Sequence, residues 1–197
     1  MKKLGHMVLF LIVGLLASAP AMATAINRDQ ANEYYARCAA QVTDSSDMKS
    51  VTTMCACTSA GVMSLMSYEE LNSMNESTPE GTAARHKFLV EVYAPCSEIV
   101  AADLINYECS NNDELFELNK DFDIIEICRC SAEQTAYWYK GKGKEVMAAL
   151  IKADTLLPDP VAAILAYPPL KSQSRSNMVA CSAVPKDEKS GSQDDAQ

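Results

Sequence analysis

Eight cysteines constrain this chain more than any other feature, because they are spaced as two versions of one pattern. The first four, Cys38, Cys55, Cys57 and Cys96, read C-x16-C-x-C-x38-C, and the last four, Cys109, Cys128, Cys130 and Cys181, read C-x18-C-x-C-x50-C. One CxC arises readily by chance; two with matched outer partners read as a tandem duplication. Flanking residues agree. Tyr34 and Tyr35 precede Cys38 as Ile105 and Tyr107 precede Cys109, and Thr58-Ser59-Ala60 follows the first CxC as Ser131-Ala132-Glu133 follows the second. Twelve residues separate Cys96 from Cys109 and join the units.

An even cysteine count means a disulfide framework if the chain is exported. The N-terminus bears on that condition. Met1-Lys2-Lys3 leads into an apolar run from Met7 to Leu16, and small residues then end in Ala21-Met22-Ala23. Positive start, short apolar run and Ala-x-Ala exit are the parts of a secretory signal peptide, with cleavage expected after Ala23. The run is shorter than the roughly 20 residues of a membrane span. Export is therefore expected, into a periplasm first and the extracellular space second. Without its leader the chain keeps 15 bases against 26 acids, a net charge of −11. Such an excess of acid argues against phosphate-backbone binding as the main activity.

Helical periodicity dominates the rest. Asn27-x-x-Gln30 and Ser67-x-x-Glu70 have the form of capping boxes, and Thr78-Pro79 places proline at a first helical position. Ala31, Tyr34, Cys38 and Val42 recur at helical spacing, as do Val51, Cys55, Thr58, Val62 and Leu65. Thr43–Asp47 reads as a polar turn, and no segment alternates as a strand does. The expected fold is all-α: two tandem disulfide-stapled helical repeats of about three helices each, after a cleaved signal peptide. The boundaries are 1–23 for the leader, 24–100 and 101–184 for the repeats, and 185–197 for a polar, disordered tail. In the second repeat Gly141-Lys142-Gly143-Lys144 is expected to interrupt the CxC helix. Pro158, Pro160, Pro168 and Pro169 are expected to make the approach to Cys181 loop-rich around a short 161–166 helix.

Residues two apart on a helix differ by about 200°. The two sulfurs of each CxC therefore face opposite ways and cannot close on each other within disulfide geometry. Each can staple its helix to a different neighbour. The symmetric hairpin about the 43–47 turn favours Cys38–Cys55 with Cys57–Cys96, and Cys109–Cys128 with Cys130–Cys181; the swap within each repeat remains open. Two thiol chemistries compete with this scaffold reading. Met54, Cys55, Cys57, Met63 and Met66 form a soft donor set that suits Cu(I). A CxC can also be a thiol–disulfide redox site, which needs a cation or helix start beside it. Arg129 lies inside the second motif, whereas Ala56 holds that place in the first.

Other signals fall away. His86, between Arg85 and Lys87, reads as a solvated helix residue without a catalytic partner. Asn119–Asp123 begins like a calcium loop, but Ile124 and Cys130 occupy the positions of the required Gly and Glu. Gly141–Lys144 lacks the rest of a phosphate loop. Tyr137-Trp138-Tyr139 is the one aromatic cluster and the candidate interface anchor. With no catalytic constellation, the sequence reads as a non-enzymatic, cofactor-free binding module. Its expected partner is a cationic protein, in an inhibitor or immunity role; copper handling and thiol redox chemistry are the alternatives. The helical CxC with outer cysteines resembles that of small exported bacterial proteins, which implies a compartment and no activity.

Overall fold

The computed structural model describes residues 23–40, 48–112, 115 and 122–183. The expected leader, the 43–47 turn and the polar tail lie outside these residues, apart from Ala23 at the leader's end. Of the described residues 82% are helical, and an isolated bridge between Ala25 and Ser67 is the nearest approach to a sheet among them. The fold is all-α.

Helix α1 (Arg28–Ala39) starts where Asn27 accepts from the Gln30 N–H and Gln30 reaches back to the Asn27 N–H. Helix α2 (Met48–Leu65) carries the first CxC. The same reciprocal cap, between Ser67 and Glu70, opens the short α3 (Tyr68–Ser73). Thr78 caps α4 (Pro79–Lys87), with Pro79 where a missing N–H costs nothing. The chain then widens into a π-helical turn, Phe88–Tyr93, before α5 (Ala94–Cys96). Pro95 offers a physical reason for the widening. It has no N–H to give to Glu91 and its ring would crowd that carbonyl in a regular helix. In the wider turn the Ala94 N–H reaches back five residues to the Leu89 carbonyl. Helix α6 (Glu98–Ser110) follows at once.

The second CxC lies on α7 (Ile124–Ala153), 30 residues long and unbroken. This corrects the expected interruption at Gly141–Lys144. Glycine lowers helix stability by about 1 kcal/mol relative to alanine, which tertiary packing outweighs here. Gly143 is buried, and a Cβ there would lie 3.2 Å from the Ala94 carbonyl oxygen and 3.2 Å from the Tyr139 ring. Its bare backbone lets α7 approach α5. The loop-rich expectation near Cys181 is also corrected. Helix α8 (Pro160–Ala166) is followed by the 15-residue α9 (Pro168–Ser182), whose two prolines occupy its first two positions and start it rather than prevent it. The irregular stretch shrinks to 154–159, where Leu157 takes a left-handed backbone (φ 37°) and is buried in the core.

Four disulfides staple these helices: Cys38–Cys55 joins α1 to α2, Cys57–Cys96 α2 to α5, Cys109–Cys128 α6 to α7, and Cys130–Cys181 α7 to α9. Each CxC thus sends one sulfur to either side. The apolar cores do not divide at residue 100. Leu89 and Ala94 pack in one cluster with Ile105, Tyr139, Met147 and Leu170. A second cluster, Ile26, Ala31, Val62, Met66 and Val92, lies between α1, α2 and the π turn. The third gathers Ile124 and Ile127 around the Cys109–Cys128 bridge and Cys181.

Candidate functional site

Each sequence-derived candidate has a definite place. Cys55 and Cys128 are fully buried, and no described cysteine is free. In this oxidised form neither CxC presents a thiolate, the species that both rival chemistries require. Arg129, the cation within the second motif, is turned along the helix surface. It makes charge-assisted hydrogen bonds to Glu126 at 2.7 Å and to Glu133 at 2.8 Å.

The five soft donors differ in bonding and in exposure. Cys55 and Cys57 are bonded to different partners. Met66 lies past the end of α2 and is buried among Ile26, Ala31, Val62 and Val92, whereas Met63 is 43% exposed. Met54 is half-buried. The three-residue step from Met63 to Met66 would place both on one helix face, but α2 ends at Leu65 and Met66 turns inward. His86 also departs from expectation. It is half-buried, with Nε2 3.0 Å from the Thr155 carbonyl oxygen, so that its Nε2–H tautomer ties α4 to the 154–159 loop.

The aromatic triplet splits three ways, because consecutive helical residues point 100° apart. Tyr139 faces inward and is wholly buried, its hydroxyl 2.9 Å from Ser97 Oγ. It is closed to any partner, which corrects its place among the interface candidates. Burial raises the pKa of its phenol, and the Ser97 hydrogen bond offsets part of that rise. Trp138 is half-buried against the central core. Tyr137 is 80% exposed.

Tyr137 and Trp138 form one wall of an open cleft of about 500 Å³ between α7 and α9, completed by Glu133, Gln134, Gln173 and Asn177. A chain of hydrogen bonds links the two helices that bear it. Gln173 donates to Asn177 Oδ1 (2.9 Å), Asn177 to Thr135 Oγ1 (3.0 Å), and Thr135 to the Ser131 carbonyl (2.7 Å). Ser131 in turn donates to the Ser174 carbonyl of α9 (3.0 Å), and Cys130–Cys181 closes the same helix pair covalently. The two helices that bear the cleft are therefore joined by hydrogen bonds and by a disulfide. Glu126 and Glu133 outnumber the single Arg129 they share, so the strip of α7 leading into the cleft keeps net negative charge. Gln173 and Asn177 were not visible as site residues in the sequence, since nothing local places α9 beside α7. A second cleft, about 360 Å³ between α6, α8 and α9, sets Lys171 and Arg175 beside Glu108 and lacks this one-sided charge.

The four disulfides indicate an oxidising, exported location. No helix among the described residues is long and apolar enough to cross a membrane. No family model matches the chain, and no curated protein or solved structure is significantly similar to it.

Proposed function

We propose that this is an exported, periplasmic, non-catalytic binding protein of inhibitor or immunity type, whose α7–α9 cleft receives a cationic segment of a partner protein. The observation that carries this reading is the pairing of Tyr137, 80% exposed, with the half-buried Trp138 beside the Glu133 carboxylate. Aromatic rings with a polar edge are the side chains most enriched at the energetic centres of interfaces. Their faces attract lysine or arginine by about 0.5–1 kcal/mol when exposed and about 2 kcal/mol when desolvated. Glu133 adds a carboxylate, and the net charge of −11 left once the leader is removed draws a basic partner toward it from a distance. The tandem disulfide scaffold supports this reading by holding the cleft in place before any partner arrives, which lowers the ordering cost of association.

The chain's single tryptophan, Trp138, makes the test direct. An arginine-rich peptide titrated into the oxidised protein is expected to give a saturable change in Trp138 emission, weakened by added salt. Tyr137→Ala is expected to weaken that binding about fivefold or more, on the order of 1 kcal/mol. A glutamate-rich peptide of equal length is expected to give no change. Unaltered emission with the basic peptide, or equal response to the acidic one, refutes the reading.

A further inference from the structure

The first described residues run antiparallel to the start of α3. The Thr24 N–H donates to Glu69 Oε2 at 3.0 Å, and the Thr24 carbonyl accepts from the Tyr68 N–H at 2.9 Å. Ala25 is bridged to Ser67, Ile26 is buried against Val62 and Met66, and Asn27 begins α1. The chain is thus fastened to the body of the molecule from the first residue after the expected leader. Residues 23–25 also line a shallow cleft shared with Met66, Glu70 and Lys87.

The charges around this junction are uneven. Glu70 is paired with Lys87 Nζ at 2.8 Å. Glu69, its neighbour, has no basic side chain within ion-pair distance among the described residues. Its carboxylate nonetheless accepts the Thr24 N–H, in the place where a positive charge on that nitrogen would lie closest.

We infer that leader removal between Ala23 and Thr24 creates an α-ammonium group that pairs with the Glu69 carboxylate and fastens the mature N-terminus to α3. The inference rests on the leader reading of residues 1–23 and is independent of the partner assigned to the α7–α9 cleft. A leader peptidase supplies the chemistry. Water adds across the Ala23–Thr24 peptide bond, the carboxylate departs with Ala23, and the Thr24 nitrogen is released as an ammonium group. One neutral donor becomes three charged ones without moving the nitrogen from its place beside Glu69. Cleavage one residue to either side would not put the terminal nitrogen at this position, so the pair forms only when the cut falls after Ala23. The charged groups facing the new terminus are Glu69 and Glu70 of α3 and Lys87 of α4; the carboxylate in hydrogen-bond contact is Glu69. Hydrogen bonds from Thr24, its side chain first, together with the Glu69 backbone N–H and the Ser67 hydroxyl, lower the Glu69 pKa to about 2. It is therefore ionised across the pH range in which the α-amino group titrates.

Intact mass and N-terminal sequencing of the exported protein are expected to give Thr24 as the first residue; any other terminus overturns the inference. The α-amino pKa of that protein, followed by NMR, is expected to lie about half a unit to one unit above the ordinary value of about 7.7–8.0. Glu69→Gln keeps the shape of the acceptor and is expected to return it to the ordinary range. An unshifted wild-type value, or an equal shift in Glu69→Gln, overturns the ion pair while leaving the leader reading intact. Selective acetylation of the wild-type α-amino group gives a measurement independent of how the variant folds. The acetylated protein is expected to have the lower Tm at pH 6, with the difference gone at pH 10. Equal Tm values at pH 6 overturn the pair.

Discussion

The hydroxyls of Tyr139 and Ser97 meet at 2.9 Å in the buried centre of the molecule, and this contact ties the second CxC helix to the end of the first cysteine unit. Ser97 follows Cys96 directly and also donates to the Ala94 carbonyl at 3.0 Å. The contact is worth little by itself, but the buried phenol would be costly without Ser97.

Two substitutions at this contact are expected to differ. Tyr139→Phe leaves Ser97 its bond to Ala94 and is expected to cost about 1 kcal/mol. Ser97→Ala strands a buried phenol and is expected to cost more, about 1–3 kcal/mol. Denaturant titrations of both proteins check the order. Equal losses would mean that water or a rearranged donor satisfies the phenol.

The disulfides close loops of unequal length: 17 residues for Cys38–Cys55 and 51 for Cys130–Cys181. Loop-closure entropy in the unfolded chain assigns them about 3 and about 4 kcal/mol respectively. Replacing both cysteines of each bridge by alanine, one bridge at a time, is expected to lower stability more for the Cys130–Cys181 pair. Denaturation midpoints of the two double variants provide the comparison.

The glycines of α7 and α4 separate helix propensity from packing. A Cβ at Gly141 would meet nothing within 4 Å, so Gly141→Ala is expected to stabilise by about 1 kcal/mol. Gly143→Ala is expected to fall short of that gain, because the new methyl crowds the Ala94 carbonyl. At Gly81 a Cβ would lie 2.5 Å from the Ser73 carbonyl oxygen and 2.6 Å from that of Glu76, and Gly81→Ala is expected to destabilise. Thermal melts of the three variants should rank in that order.

Burial raises the phenol pKa values of Tyr34, Tyr93 and Tyr139 above their ordinary 10. A folded-state pKa above the unfolded one means that the folded chain holds these protons longer. Their contribution is fully present below about pH 10 and is lost as the pH rises toward the folded values. Stability is therefore expected to fall steeply above pH 10, with phenolate absorbance near 295 nm rising together with loss of helical circular dichroism. If all eight tyrosines ionise while the helices remain intact, burial does not hold these three phenols protonated.

Short-range signals made much of this architecture readable without coordinates. The capping boxes at Asn27–Gln30 and Ser67–Glu70 and the proline at position 79 lie within one helical turn of the events they direct. The angular step along a helix is enough to turn the sulfurs of each CxC apart, whatever lies around them.

Tertiary packing decided the rest. Whether Gly141–Lys144 breaks a helix depends on what α5 presents to Gly143. Which ring of Tyr137-Trp138-Tyr139 is exposed depends on where α6 and α9 lie. Helix α9 reaches the cleft from more than thirty positions along the chain. Propensity in these places amounts to about 1 kcal/mol per residue, whereas burying a large side chain such as Tyr139 contributes several times as much. Where the two conflict, contacts between residues distant in sequence prevail, and no local pattern records them.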